Sequence, residues 1–322
     1  MKSITTTCVG GLFMKHIKIN NVEKSISSLI MGSDYFSPDN QEKVDGVIDS
    51  FLEIGGNTID TAFIYAGGQS EKAIGNWLEQ GSNRDKINIW TKGGHPNQNG
   101  HTINQKELYD QLQTSLERLK SDHVQLYALH RDDLTVRVED ILEWLNEHVQ
   151  AKRIQTFGAS NWSVERLEEA NNYAAKHGME GFSFSSPNLS LAKAKEPYWP
   201  GCVSVDQNMI DWHEHSQLPL FSWSSQARGF FTGRFTRDNL ENEDLVRVFY
   251  NNENWERYDR AEGLAKEKGC SLIEIALAYV LNQQFPTGAI IGPQNRDELI
   301  SCGEGAKISL TADEVAYINL NR

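Results

Sequence analysis

Cysteine is scarce in this chain, basic residues are outnumbered, and long apolar runs are missing. The four cysteines among 322 residues, Cys8, Cys202, Cys270 and Cys302, are scattered without a CxxC or other ligand-like spacing. Neither a disulfide scaffold nor a clustered thiolate metal site is expected. No apolar run approaches the ~18 residues that a membrane-spanning helix needs. Lys and Arg number 31 against 44 Asp and Glu, a formal charge of −13. That field repels polyphosphate and argues against nucleic acid as the main partner, without excluding a nucleotide held in a local basic pocket. No low-complexity linker divides the chain. These absences leave a cytoplasmic protein with a small-molecule partner as the default. The first segment, MKSITTTCVGGLFMK, has a short apolar stretch broken by Thr and Gly, a poor fit to a secretory leader. Pattern begins at Met14, read here as the natural start, with residues 1–13 as an extension.

What is present is an alternation. HIKINNVEKSIS, after Met14, reads as a hairpin around Asn20-Asn21. Short apolar runs then recur at Leu29–Gly32, Thr58–Ala62, Ile87–Lys92, Val124–His130, Ile154–Gly158, Phe182–Ser185, Leu218–Trp223 and Ala289–Gly292. Amphipathic stretches such as Gln41–Leu52, Gln105–Leu119, Val138–Glu147 and Val164–Lys176 fall between them. Such alternation implies a parallel sheet covered by helices. Eight units in this length predict an α/β chain folded as a closed (β/α)8 TIM barrel, with extended loops after the sixth and seventh strands. A doubly wound open sheet would show a Gly-rich fingerprint after its first strand, but GSDYFSPDNQ stands there.

In such a barrel chemistry gathers where strands end. Asp60 ends the second strand and Tyr65 follows in a Gly-rich loop; Lys92 ends the third strand and His130 the fourth. Each alone has an ordinary explanation, as a turn cap, a packing ring, a snorkelling amine or a core imidazole. Together on adjacent strands they have a chemical logic. A phenol is too weak an acid for efficient proton transfer near neutrality. A nearby ammonium is expected to lower its pKa, a carboxylate to keep the buried ammonium charged, and a neutral imidazole to orient a carbonyl.

The motifs DTAxxYxxGxSE (Asp60 to Glu71), Thr91-Lys92, Leu129-His130, Gly158 to Asn161, and the GRF-like elements near strands seven and eight resemble those of the aldo-keto reductases. The resemblance covers nearly all of the chain after Met14 and implies one barrel domain over residues 14–322. It implies an NAD(P)H-dependent oxidoreductase that reversibly reduces an aldehyde or ketone. Tyr65 would be the proton donor, Lys92 and Asp60 would tune it, and His130 would position the carbonyl. On the cofactor side it implies Ser160 and Asn161 at the nicotinamide carboxamide, with Ser186 where relatives carry glutamine. Trp223 would stack on the ring, Ser224, Gln226, Arg228 and Gly229 would follow the pyrophosphate, and Gly292, Gln294 and Arg296 would line the adenosine-phosphate loop. From the residues alone Ser160 or Asn161 equally suits a helix cap, and Arg296 a solvated helix-start charge. The loop lacks the basic pair often used for the extra phosphate of NADP, yet the family favours NADP, with NAD possible. A regulatory nucleotide-binding subunit, comparable to potassium-channel β subunits, is the alternative; a cofactor-free hydrolase or isomerase lacks a metal set or a spaced carboxylate pair.

Other signals are weaker. His213-Glu214-His215 sits in an expected charged loop with no third ligand, so no metal is expected. His95 and His101 are placed at the pocket mouth, and Tyr35, Trp162, Trp199 and Trp212 are candidates for an aromatic wall. The run ENEDLVRVFYNNENWERYDRAE reads as a solvated helical face.

Overall fold

The alternation of apolar and amphipathic runs is resolved in a computed structural model, which describes residues 5–9 and 12–321, with side chains from Met14 onward. Three short strands come first: β1 (Thr5–Val9), β2 (Leu12–Ile17) and β3 (Ile26–Ser27), antiparallel in that order. β2 and β3 form the hairpin expected around Asn20-Asn21, where Asn21 takes φ 63°. The boundary expected at Met14 falls inside β2. All of segment 1–13 lies outside the residues whose side chains are described.

Eight parallel strands follow: β4 (Leu29–Gly32), β5 (Thr58–Asp60), β6 (Asn88–Gly93), β7 (Val124–Leu129), β8 (Ile154–Ser160), β9 (Ser185–Ser186), β10 (Leu220–Ser222) and β11 (Thr287–Ile291). They close in sequence order into a barrel, β11 pairing back onto β4. The crossovers carry α1 (Gln41–Glu53), α2 (Gln69–Leu78), α3 (Gln105–Leu119), α4 (Val138–Gln150), α5 (Val164–His177) and α6 (Gln207–Ser216). Between β10 and β11 lie α7 (Glu243–Phe249), α8 (Asn252–Lys268) and α9 (Leu272–Leu281); α10 (Arg296–Lys307) and α11 (Ala312–Ile318) follow β11.

Strand periodicity decides what points inward. Ile30, Trp90, Leu126, Ala128, Phe184 and Phe221 form one buried cluster with Ile17, Ile19, Val22 and Ile26 of the hairpin region. Lys92 stands two residues beyond Trp90, His130 two beyond Ala128, Ser186 two beyond Phe184 and Trp223 two beyond Phe221. The polar residues therefore continue the inward parity above an apolar plug. A second, larger cluster joins the outer faces of the strands to the helices.

Several boundaries differ from expectation. The sixth strand is only Ser185–Ser186, although Ser183 N–H still bonds to the Phe157 carbonyl at 2.9 Å. The long segment after it contains α6, so His213-Glu214-His215 is helical rather than looped. His213 is fully buried, its ring 2.9 Å from Ser185 Oγ and 2.8 Å from the Leu218 carbonyl. The supposed solvated face is α7 and α8, which bury Leu245, Val248, Phe249 and Trp255. After β7, Asp133 accepts from Thr135 N–H and Oγ1 in a turn, and α4 begins at Val138.

Candidate active site

Tyr65 is placed by a chain of local constraints. Beyond β5, Thr61 N–H and Phe63 N–H still bond to the Trp90 and Lys92 carbonyls, at 2.8 and 2.9 Å. The backbone then turns through three left-handed residues, Ala66, Gly67 and Gly68, with φ 48°, 63° and 87°. Glycine meets this geometry without strain. At Gly68 a Cβ would also lie 2.4 Å from the Arg118 guanidinium carbon. Arg118 of α3 fills that hollow, donating to the Phe63 carbonyl at 2.8 Å and to Glu71 Oε2 at 3.1 Å. Glu71, fully buried, also accepts from Thr91 Oγ1 at 2.7 Å. Ser70 Oγ bridges Ser33 Oγ and Thr61 Oγ1, each at 2.8 Å. Helix α2, the Tyr65 loop and β6 are thus fastened together. Glu71 was visible as the last letter of its motif; nothing in the sequence marked Arg118.

The four residues expected to converge do so. Lys92 Nζ is ion-paired and hydrogen-bonded to Asp60 Oδ1, donates to the Thr61 carbonyl at 3.0 Å, and lies 3.3 Å from Tyr65 Oη. The His130 ring meets the Tyr65 ring edge-on, centroids 5.6 Å apart. His130 N–H bonds to the Gly93 carbonyl at 2.7 Å, while its buried Nδ1 has no partner among the described residues. Burial holds His130 well below the usual histidine pKa, and Lys92, Arg131 and His95 add to the effect, so the ring is neutral at pH 7.

One electrostatic expectation is corrected. Tyr65 is raised well above the usual phenol pKa, not lowered, because burial dominates and Asp60 and Asp34 add to it; Arg131 opposes. Burial also lifts Asp60 to about 6, against the pull of Lys92, and lowers Lys92 against the pull of Asp60. The phenol therefore keeps its proton. Asp34 and Arg131 shape this field without having been singled out in the sequence.

The expected cofactor residues line the same rim, but several are otherwise engaged. Ser160 Oγ donates to the Ser186 carbonyl at 2.9 Å. Asn161, with φ 63°, bonds through Nδ2 to Ser160 Oγ at 3.0 Å, and through Oδ1 to Val203 N–H at 3.0 Å and Trp223 Nε1 at 3.2 Å. Neither caps α5, which Ser163 does. Ser186 Oγ is buried with no hydrogen-bond partner among the described residues. Half-buried Trp223 lies against Trp199, centroids 5.8 Å apart. After β10 the backbone is left-handed at Ser224, Ala227, Arg228 and Gly229, and the loop closes on itself, with Ala227 N–H bonded to the Ser224 carbonyl at 2.9 Å and Gly229 N–H to the Gln226 carbonyl at 3.0 Å. Gln226 Oε1 faces Cys302 Sγ at 3.7 Å.

The exposed Arg228 guanidinium lies 4.8 Å from the Tyr198 ring centroid and 5.2 Å from that of Trp199, contacts that leave its N–H donors available to an anion. Nothing crowds the missing Cβ of Gly292. Gln294 N–H bonds to Glu298 Oε2 at 2.8 Å, and Arg296 pairs with Glu53 at 3.0 Å and Ser50 at 3.2 Å. The Ser186 hydroxyl, the indole face and the exposed Arg228 fit a dinucleotide, whereas Arg296 would have to release Glu53 and Ser50.

The aromatic wall is also revised. Trp199 is at the rim, 42% exposed, and Tyr35 donates to the Pro293 carbonyl at 2.5 Å. Trp162 is buried against Phe182, its Nε1 bonded to the Arg131 carbonyl at 3.2 Å. Trp212 points away, bonded to Glu168 at 2.8 Å. His95 meets His130 edge-on at 5.0 Å, while His101 is exposed, 3.9 Å from Asp133. Among the described residues no group of three or more His, Cys, Asp or Glu side chains is arranged to hold a metal, and no helix is long and apolar enough to cross a membrane.

The profile of the Aldo/keto reductase family matches residues 28–320. An uncharacterized oxidoreductase, YrpG, of Bacillus subtilis (strain 168) is 26% identical over 95% of this chain and 95% of its own. An aryl-alcohol dehydrogenase [NADP(+)] of Phanerodontia chrysosporium is 25% identical over 85% of this chain and 74% of its own. The aldo-keto reductase YhdN of the same Bacillus is 25% identical over 83% and 80%. The chain belongs to the Aldo/keto reductase family, oxidoreductases that use nicotinamide cofactors on carbonyl compounds.

Proposed function

We propose that this member of the family reversibly reduces an aldehyde or ketone with NADPH, and that Tyr65 delivers the proton. The observation that carries the proposal is the contact of Lys92 Nζ with both buried Asp60 and the part-buried Tyr65 hydroxyl, at 3.3 Å from the latter, beside a neutral His130. When bound, the dinucleotide supplies a hydride to the carbonyl carbon. A neutral imidazole at His130 donates a hydrogen bond to the carbonyl oxygen and orients it without competing as an acid. Negative charge then develops on that oxygen. An alkoxide is far more basic than a phenolate, so Tyr65 can protonate it even with a raised pKa. Lys92, donating toward the phenol oxygen, stabilises the phenolate left behind, and Asp60 offsets the burial of that ammonium. In the reverse direction the phenolate takes the proton of an alcohol.

Ser160, Asn161 and Ser186 would hold the carboxamide, Trp223 the ring face, and the Ser224–Gly229 loop the pyrophosphate. Arg296 would contact the 2′-phosphate after leaving Glu53, an exposed pair of small energetic worth. Titration of intrinsic fluorescence checks this, since Trp223 would face the bound nicotinamide. NADPH should quench at lower concentration than NADH, and NADPH absorbance should fall when aldehydes or ketones are added. Tighter NADH binding would reverse the cofactor preference; binding without any oxidation would favour a regulatory role.

A further inference from the structure

His95, beside His130, takes no part in the chemistry described, yet its ring is held by a hydrogen bond. Its Nδ1 lies 2.7 Å from the Pro96 carbonyl. A carbonyl oxygen only accepts, so Nδ1 must carry the proton. Burial lowers the pKa of His95 below the usual histidine value, despite that bond, so the neutral ring presents a bare lone pair at Nε2. That nitrogen has no partner among the described residues. The backbone around it is pinned as well. Thr102 Oγ1 donates to the His95 carbonyl at 3.0 Å, and Gly94, at φ 72°, donates its N–H to Gln111 Oε1 at 2.9 Å.

The position of this acceptor matters. The His95 ring meets His130 edge-on with centroids 5.0 Å apart, and Tyr65 also meets His130 edge-on, at 5.6 Å. A carbonyl oxygen bound by His130 and a hydroxyl on the adjacent carbon are separated by about one hydrogen-bond length, roughly 2.8 Å. Two imidazoles at this spacing can serve both: one donates to the carbonyl, the other accepts from the hydroxyl. An acceptor fixed in advance costs little ordering on binding and favours a partner that can donate.

We infer that His95 is a specificity-determining residue that accepts a hydrogen bond at Nε2 from a donor group next to the reacting carbonyl, making 2-hydroxy carbonyl compounds preferred substrates. The inference rests on the carbonyl-reductase function proposed above. The test compares hydroxyacetone with butan-2-one, ketones of nearly equal shape that differ in one hydroxyl. The readout is the ratio of their kcat/KM values with NADPH. The wild-type protein should favour hydroxyacetone by about tenfold, as one well-made hydrogen bond allows. His95→Phe should bring the ratio to within about twofold of unity, and His95→Gln, which keeps a polar group near the Nε2 position, should restore part of it.

A wild-type ratio near unity, or a His95→Phe ratio equal to that of the wild type, would overturn the inference while leaving the reductase function standing. If His95→Phe does not fold, the wild-type ratio and His95→Gln decide the matter. Failure to oxidise NADPH with either ketone and with a panel of aldehydes would defeat the underlying function instead.

Discussion

At the scale of single residues, the account depends on two protonation states. His130 is buried and surrounded by Lys92, Arg131 and His95, all of which oppose a positive charge on it. Followed by NMR in uniformly labelled protein, its ring should remain neutral as pH falls through about 6.5, where a free imidazole titrates; a midpoint near that value would remove the basis for its role as a neutral donor. Tyr65 keeps its proton because burial outweighs every nearby positive charge. The sequence shows the ammonium but not the depth of the site, which sets the direction of this shift. The same holds for Arg228 and Arg296. Their placement after β10 and β11 was legible, but their stacking on Tyr198 and Trp199 and pairing with Glu53 depend on residues remote in the chain.

At the scale of elements, strand parity made the catalytic candidates legible and loop anchoring did not. Lys92 and His130 could be placed at strand ends because apolar alternation marks the strands. The clamp that holds the Tyr65 loop could not, since Arg118 enters from α3, 55 residues beyond the Phe63 carbonyl it binds. Its guanidinium also lies 4.6 Å from the Phe63 ring centroid. Removing it with Arg118→Ala leaves Glu71 buried without its cation and empties the hollow beside Gly68. We expect a loss of about 3 kcal/mol in unfolding free energy, as for other broken buried pairs. Chemical denaturation measures this, and a change below about 0.5 kcal/mol, typical of a surface pair, would refute the clamp. The short sixth strand belongs to this scale too. With pairing reduced to Ser185 and Ser186, apolar run length was a poor guide to its extent.

At the scale of the whole molecule, closure into a barrel was readable from eight repeats, whereas the covering of α7 and α8 was not. Their charged residues disguise the buried Leu245, Val248, Phe249 and Trp255. Acid stability also belongs here. Burial lowers His213 and His148 from 6.5 to about 4. Both are bases depressed in the folded state, so their stabilisation is complete above about 6.5 and is lost as pH falls toward about 4. The thermal midpoint of the wild type should therefore drop more between pH values at the two ends of that window than the midpoint of His213→Gln; equal drops would show that His213 carries none of the acid sensitivity.

The central claim concerns one hydroxyl group. Tyr65→Phe removes the proton donor and leaves the ring that packs on His130. Steady-state NADPH oxidation with a reactive aldehyde, paired with fluorescence titration of the dinucleotide, tests it most directly. Turnover should fall by about 10²–10⁴-fold while NADPH affinity stays within about threefold, a shift of less than 1 kcal/mol. Turnover close to that of the wild type would contradict the account.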